Sequence, residues 1–550
     1  MSRQPGDAPS ARAHPLPPAE AQPQALPTGA PSKEGRRRSR WPELWRDVEI
    51  RSRRGDPPGD AAGLHYDSRR VQPGQAFVAI AGEAADGHRF IPEALRRGAV
   101  LVVSERPPAP ELEVAWLQVA NARRALAQLS ANWFGRPGER LQLIGITGTN
   151  GKTTTAWLAA AALRACGIPT GLLGTIEYQI GGQRLASPHT TPESYDLQEL
   201  LAEMAAADCR AAVLEVSSHA LVMERVWGCR FAAAVFTNLT QDHLDFHGTL
   251  AAYREAKRRL FTGAGAGPPL AAVVNVEDPS AAAMVAGYGG PCIGYGCEDG
   301  PELPAQLRAT AVEASPAGQR IMVRAPDGWT GVIASPLLAR VNVLNTLAAF
   351  GAGLALGLPP EALVRGLEAA PPVPGRFQRV AAGQPFAVVV DYAHTPDALA
   401  NVLRLARELA AARQVIVVFG CGGDRDRGKR PRMGAIAAEL ADLAVVTSDN
   451  PRSEAPEAIL AEVVAGLAPA AAARGRRWIE EPDRRAAIEK ALRAAANGDV
   501  VVVAGKGHER VQIVKDEKRH FDDAEEVSLA WRRISGAAPL AAAREGGACN

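Results

Sequence analysis

The run Gly145-Ile-Thr-Gly-Thr-Asn-Gly-Lys-Thr-Thr154 follows an apolar stretch, Leu141 to Ile146, and leads into a helical stretch from about Lys152 to Ala165, with Gly167 as its stop. No other feature constrains the fold as much. A strand feeding a glycine turn that opens a helix begins a βαβ unit, and the turn lets backbone N–H groups wrap a polyphosphate while the helix N-terminus adds its dipole. Lys152 is placed to neutralise the β- and γ-phosphates, and the Thr153 hydroxyl to ligate magnesium. Gly148, Thr149, Asn150, Gly151 and Thr154 complete the candidate ATP loop. The strict P-loop pattern wants glycine six residues before the lysine; Ile146 stands there, so the loop is a variant.

The surrounding pattern extends this unit. Apolar runs at Ala211 to Val216, Ala232 to Thr237 and Ala271 to Val276, with helical segments between, predict an α/β sheet. Residues 305–335 change to short strands broken by turns, which predicts a small antiparallel patch. A later region alternates again, with strands at Phe386 to Val390, Gln414 to Phe419, Leu443 to Thr447 and Val500 to Ala504. An earlier, smaller one has Gln75 to Ile80 and Ala99 to Val103 around a helical Ile91 to Arg97. Linkers at Gly135-Arg-Pro-Gly138 and Pro371-Pro-Val-Pro-Gly375 separate α/β domains at 41–136, 137–374 and 375–536. At about 150 residues per domain, 550 residues allow three or four.

Residues 1–40 hold eight prolines before Ser32, then Arg36-Arg-Arg-Ser-Arg40, and are expected to be a disordered basic tail; 537–550 are expected to be flexible. The chain has 62 basic and 60 acidic residues. Seven basic and three acidic ones lie in the first 40, so the formal +2 of the whole becomes −2 beyond them. Nothing in that balance demands nucleic acid or a membrane surface. Seven scattered cysteines without a CxxC pair point to a reducing cytoplasm. Val341 to Pro360 is uncharged but carries Asn342, Asn345 and Thr346, so no membrane insertion is expected, and no secretory signal opens the chain.

Polar clusters fall in loops after strands, where open α/β sheets take their ligands. Glu215-Val-Ser-Ser-His219 could complete a magnesium shell with Thr153. In Thr237 to His247, the alternating His243, Asp245 and His247 would share a face if extended, which admits a metallohydrolase as well as a polar loop with local hydrogen bonds. Lys257, in the amphipathic stretch Tyr253 to Phe261, reads on periodicity as solvated or snorkelling. Asp391-Tyr-Ala-His394, the arginine-rich loop Gly420 to Arg430, Asp449-Asn-Pro-Arg452 and Gly505-Lys-Gly-His-Glu509 lie at one sheet edge and suit anion binding.

Taken in order, Thr147-Gly-Thr-Asn-Gly-Lys-Thr153, Glu215 to His219, Asn238 to His247, Asp391 to His394 and Gly505 to Glu509 resemble the Mur ligase family over about residues 60–535. Within that family the pattern is similar to the members that add 2,6-diaminopimelate. The resemblance implies a UDP-binding N-terminal domain, a central P-loop ATPase-like parallel-sheet domain and a Rossmann-like C-terminal domain that takes the amino acid. It implies a cytoplasmic, ATP-dependent ligase, monomeric, acting on small molecules: UDP-MurNAc-L-Ala-D-Glu, meso-diaminopimelate and ATP, with two Mg2+ ions. Thr153 and Glu215 would hold one ion and His243 would help hold the other. Lys257 matches the family's carbamylated lysine (N6-carboxylysine), which reverses the solvated reading. Asn342, Asn345, Arg376 and Asp391 fall where the family contacts ATP, with His394 in the same loop. Ser68, Thr190, Thr191, Ser217 and Arg225 match nucleotide-peptide contacts. Arg425, Asp449, Asn450, Pro451, Arg452, Gly505 and Glu509 match the diaminopimelate site, where Arg452 offers a bidentate fork to the distal carboxylate. Two departures stand out: Glu83-Ala84 where the best-known members carry His-Gln, and Met223 where they carry Gln. The alternatives are a folylpolyglutamate synthetase-like ligase, a P-loop regulatory ATPase and a silent scaffold.

Overall fold

Valine, isoleucine and alanine dominate the strand runs, and in the computed structural model, which describes residues 38–82, 85–315 and 318–536, those runs form three sheets flanked by helices, beside a fourth of two strands, Val511–Val514 and Glu517–His520. Of the expected tails, 1–40 and 537–550, residues 1–37 and 537–550 lie outside the described residues, as does Glu83-Ala84. Regular pairing begins at Ser39, which bridges Ala61, slightly ahead of the boundary expected at 41.

The first sheet has the spatial order Ile50–Arg54, Ala115–Val119, Leu101–Ser104, Ala76–Val78, Leu64–His65, parallel except for the first strand. The helix Ala122–Trp133 packs on it, started by the Asn121 side chain, which accepts from the N–H groups of Arg123 and Arg124.

In the second sheet the strand Gln142–Thr147 lies between Phe231–Phe236 and Ala211–Glu215, parallel to both. It is buried on both faces: Ile144 and Ile146 enter one core with the helices Lys152–Ala165 and Arg340–Ala355, while Leu143 enters the other with Leu200, Phe261 and Val274. Burial on both faces is why the run reads as continuously apolar rather than alternating. The patch expected over 305–335 is not a separate element. Tyr295 and Gly296 pair in parallel with Leu307 and Arg308, so the antiparallel strands Leu307–Ser315, Gly318–Arg324 and Thr330–Ser335 extend the main sheet to eleven strands.

The third sheet runs Gln378–Arg379, Ala387–Asp391, Val500–Ala504, Val415–Phe419, Leu443–Val446, Arg477–Glu480, parallel beyond its first strand. Among the described residues, Pro456–Arg474 is the helix long and apolar enough to cross a membrane by length and composition, rather than the stretch singled out at 341–360. It lies against the helix Lys429–Leu440 at close range: a Cβ on Gly434 would overlap the Val463 carbonyl, and one on Gly466 the Pro431 carbonyl.

Candidate active site

The helix Lys152–Ala165 starts where expected, with Gly151 at its cap in a left-handed conformation (φ +85°). A Cβ on Gly151 would overlap the Asn345 side-chain oxygen, and one on Gly148 (φ +150°) the Thr237 hydroxyl. The loop is thus walled by Thr237-Asn238 on one side and the helix Arg340–Ala355 on the other. Asn238 clamps it, its side chain accepting from Asn150 N at 2.9 Å and donating to Asn150 O at 3.0 Å, while its carbonyl accepts from Thr149 N. The variant position is explained too: Ile146 is inside the strand and fully buried, so the turn begins only after Thr147. Asn345 donates to Asn342 at 3.0 Å and accepts from Thr155 at 3.3 Å, which fixes both asparagines behind the loop. Thr154 is buried in the first helical turn.

Lys152 curls over the loop, its Nζ donating to the Gly148 and Thr149 carbonyls at 2.9 Å each. Desolvation lowers its pKa, opposed by Glu215. The Thr153 hydroxyl donates to Glu215 at 2.9 Å, and both Glu215 carboxylate oxygens are steadied by Thr175, from its N–H (2.8 Å) and its hydroxyl (3.1 Å). Glu215 is 1% exposed. A buried carboxylate and a hydroxyl, oxygen donors only, fit a hard divalent ion such as Mg2+.

Lys257 overturns the solvated reading. It is 1% exposed, its Nζ donates to the Gly148 carbonyl at 2.8 Å, and it sits 4.3 Å from the Tyr253 ring centroid. Burial first, and the Lys152 charge second, hold its amine far below the ordinary lysine value. Extended alternation over 243–247 also fails: Leu244–His247 is a helical turn capped by His243 at φ +52°. His243 packs edge-on to His219 (centroids 4.8 Å apart), and His247 bonds the Ser218 hydroxyl at 2.9 Å. Among the described residues no three His, Cys, Asp or Glu side chains form a metal-holding group by themselves.

Next to Glu215, the Thr191 hydroxyl donates to the Glu215 carbonyl at 2.7 Å and accepts from Ser217 N at 3.1 Å. Arg225 donates to the Thr191 carbonyl at 3.0 Å, and Thr190 bonds Thr175 at 3.0 Å. These four expected residues therefore share one wall. Met223 joins it through its sulfur, 3.6 Å from Arg225 Nη2. Ser68 lies apart in the first unit, donating to Glu93 at 3.1 Å; its neighbour Tyr66 reaches Asp196 in the second unit at 2.6 Å.

Across from the phosphate loop, Arg376 stacks over Tyr392 (4.9 Å to the centroid) and extends Nη2 to within 3.5 Å of the Thr153 hydroxyl. Its Nε is buried without a partner. Asp391 accepts from the N–H groups of Phe377 (2.7 Å) and Ala393 (2.9 Å); burial raises its pKa against the pull of Arg376. His394 lies beside it, Nδ1 at 2.8 Å from the Tyr392 carbonyl, and burial holds its pKa down. Gly375 (φ +63°), where the chain enters this unit, touches the loop Gly505 to Glu509 so closely that a Cβ would overlap the backbone of Gly507 and His508.

The remaining expected residues meet around Lys506, which sequence reasoning passed over within its motif. Lys506 is fully buried, 3.1 Å from Asn450 Oδ1, 3.3 Å from Glu509 Oε2 and 3.8 Å from Asp449 Oδ1. Asn450 donates to Glu509 at 2.9 Å. Arg452 (φ +50°) donates from Nη1 to the Gly423 carbonyl at 2.7 Å, and the Pro451 carbonyl lies against Gly423. Gly505 is left-handed (φ +117°) with Asp449 in van der Waals range of its face. Arg425 is exposed, close enough for its charge to depress the pKa of Arg452 after burial has done so. Thr175, Tyr253 and Arg484 were also missed. Arg484, fully buried, pairs with Asp523 at 2.7 and 2.8 Å and donates to the carbonyls of Ser448 (3.4 Å) and Ala504 (3.0 Å), the residues preceding Asp449 and Gly505.

Comparison with known proteins covers this whole arrangement. Residues 60–134 match the Mur ligase family catalytic domain, 146–353 the Mur ligase middle domain and 375–507 the Mur ligase glutamate ligase domain. A UDP-N-acetylmuramoyl-L-alanyl-D-glutamate–2,6-diaminopimelate ligase of Solibacter usitatus is 49% identical over 465 residues, 84% of this chain and 92% of the relative. The enzyme of the same name from Geobacter metallireducens is 44% identical over 86% of this chain and 94% of its own. A solved structure of a ligase of that name superposes with a TM-score of 0.65 at 34% identity, covering 91% of this chain and all of the other.

Proposed function

The chain belongs to the Mur ligase family, and we propose that it joins meso-2,6-diaminopimelate to UDP-MurNAc-L-Ala-D-Glu, cleaving ATP to ADP and phosphate. The observation that carries this choice of amino acid is the buried loop cluster of the third unit, where Arg452 stands among Asp449, Asn450 and Glu509. Diaminopimelate differs from lysine by a carboxylate on its distal carbon. A guanidinium fork suits that carboxylate, and the two acidic side chains suit the amine beside it. Lysine would leave the arginine unanswered, which is selectivity through an unsatisfied charge.

The reaction follows from the phosphate loop. Backbone N–H groups at the helix start, from Gly151 to Thr153, cradle the triphosphate, and Lys152, already aimed across the loop, turns to the β- and γ-oxygens. The γ-carboxylate of D-glutamate attacks the γ-phosphorus; ADP leaves and an acyl phosphate remains. The free amine of diaminopimelate attacks the acyl carbon, and the tetrahedral intermediate expels phosphate as the amide forms. Catalysis is chiefly positioning and charge neutralisation. Arg376, reaching from the third unit to Thr153, brings a cation to the transferring group. Magnesium, when bound, neutralises phosphate oxygens; Thr153 and Glu215 would hold one ion, and His243 with a carbamylated Lys257 the second. Thr190, Thr191, Ser217 and Arg225 would orient the nucleotide peptide, and Ser68 its uridine end. The same reading has the enzyme act as a cytoplasmic monomer on soluble small molecules.

Phosphate release measured with ATP, Mg2+ and UDP-MurNAc-L-Ala-D-Glu tests this. Turnover is expected to require both the nucleotide peptide and meso-diaminopimelate, and lysine to replace the latter poorly. Release without an amino-acid acceptor would favour a regulatory ATPase, and release that depends on a folate a folylpolyglutamate synthetase. Arg452→Ala is expected to raise KM for diaminopimelate by about 100-fold or more; an unchanged KM would refute the assignment of Arg452.

A further inference from the structure

Among the buried charges that the mechanism leaves unused, one adjoins the acceptor site directly. Lys506 lies between two left-handed glycines, Gly505 and Gly507, that reverse the chain twice within three residues and turn its side chain into the protein. Its Nζ closes a ring with two members of the acceptor site, donating to Asn450 and Glu509, while Asn450 itself donates to Glu509. Asp449 stands 3.8 Å away. The Asn450 oxygen also accepts from Ile513 N at 3.0 Å, so the ring is tied to the hairpin Val511–Val514/Glu517–His520.

Formal charge gives this ring a meaning. Asp449 and Glu509 contribute two negative charges, Arg452 and Lys506 two positive ones, and the sum is zero. The buried pair behind them, Arg484 and Asp523, cancels within itself. Arg425 and Asp424 stand at the exposed rim with opposite signs, where solvent screens them. The distal end of diaminopimelate, one ammonium and one carboxylate, is also neutral overall, whereas that of lysine carries a net positive charge. Without Lys506 this set would hold one excess negative charge, which is the complement of lysine.

We propose that Lys506 is a specificity-determining positioning residue: it sets the net charge of the acceptor pocket to zero and so selects a zwitterionic over a cationic distal group. It touches no reacting atom. It acts through Asn450 and Glu509, whose orientation it fixes, and through the field at the ammonium subsite. This rests on the acceptor site proposed above.

The test is Lys506→Met in the full-length enzyme, with kcat/KM measured for meso-diaminopimelate and for L-lysine under saturating ATP and nucleotide peptide. The ratio between the two acceptors is expected to fall by at least roughly tenfold, through KM for diaminopimelate, with KM for ATP unchanged. In Lys506→Met/Glu509→Gln the set is neutral again, and the ratio is expected to recover although both acceptors bind more weakly. Equal losses for both acceptors, or a ratio unmoved in the single variant, would overturn the proposal. So would a double variant no more selective than the single one. Lys506→Gln, which retains a donor for Asn450 but no charge, carries the same expectation if the methionine variant does not unfold cooperatively. If neither folds, Lys506 belongs to the core and the proposal fails. A wild-type enzyme without diaminopimelate-dependent turnover would instead refute the underlying assignment of the acceptor.

Discussion

A lysine amine buried next to a second lysine can lower its free energy by losing its proton, and the neutral amine is the form that adds carbon dioxide. Lys257 meets both conditions, and its carbamate would replace a repulsion with Lys152 by an attraction. Dialysis against buffer freed of carbon dioxide is therefore expected to lower kcat, with bicarbonate restoring it. Acid favours the protonated amine over the carbamate, so the bicarbonate requirement is expected to rise as pH falls. Activity indifferent to bicarbonate would refute the modification. Lys257→Ala is expected to lose activity by about 1,000-fold or more while still binding ATP. The burial of this residue is legible in the sequence, against the solvated reading of its periodicity. Tyr253, Leu260 and Phe261, at i−4, i+3 and i+4, form the inward face of the helix Leu250–Thr262, and Lys257 stands among them. Lys506 carried no such signal, since its burial depends on two glycine reversals and on a partner loop more than fifty residues away.

At the level of elements, the phosphate loop has a glycine where geometry permits nothing else. Gly148 combines a backbone angle foreign to side-chain-bearing residues with direct apposition to the β-branched Thr237, which has little room to yield. Gly148→Ala is expected to abolish nucleotide binding and to cost about 2 kcal/mol or more of stability; titration with a fluorescent ATP analogue and thermal unfolding check the two effects separately. The four strands that the sequence names in each of the two larger sheets lie within a residue or two of their expected bounds, because burial on both faces makes them continuously apolar, whereas Thr170–Leu173, Glu177–Ile180, Gln183–Ala186, Cys292–Gly296, Gln378–Arg379 and Arg477–Glu480 went unnamed. The elements misread were those defined by distant pairing. Leu307–Ser315 looked like a detached patch because its link to the main sheet is two residue pairs with Tyr295 and Gly296. The turn at Leu244–His247 defeated a reading that required an extended chain. Likewise the candidate site was legible as loops, each after its own strand, while the distances that join Arg376 to Thr153 or Lys506 to Asn450 arise only from tertiary packing.

For the whole molecule the informative place is the passage from the second unit to the third. Gly375 opens the third unit pressed against Gly507 and His508, and the next residue, Arg376, reaches the helix that the phosphate loop opens. Gly375→Ala is expected to depress kcat with diaminopimelate by about tenfold while leaving ATP affinity of the second unit intact, because the added methyl pushes the acceptor loop without touching the nucleotide. Equal losses in both would show that residue 375 merely supports the fold. Seen this way, the contact between two glycines works like a mechanical interlock. A side chain on either would let nucleotide chemistry and acceptor delivery drift out of step, and the activated glutamyl group would then wait exposed to water. Bare backbone against bare backbone keeps the two halves of the reaction on one clock.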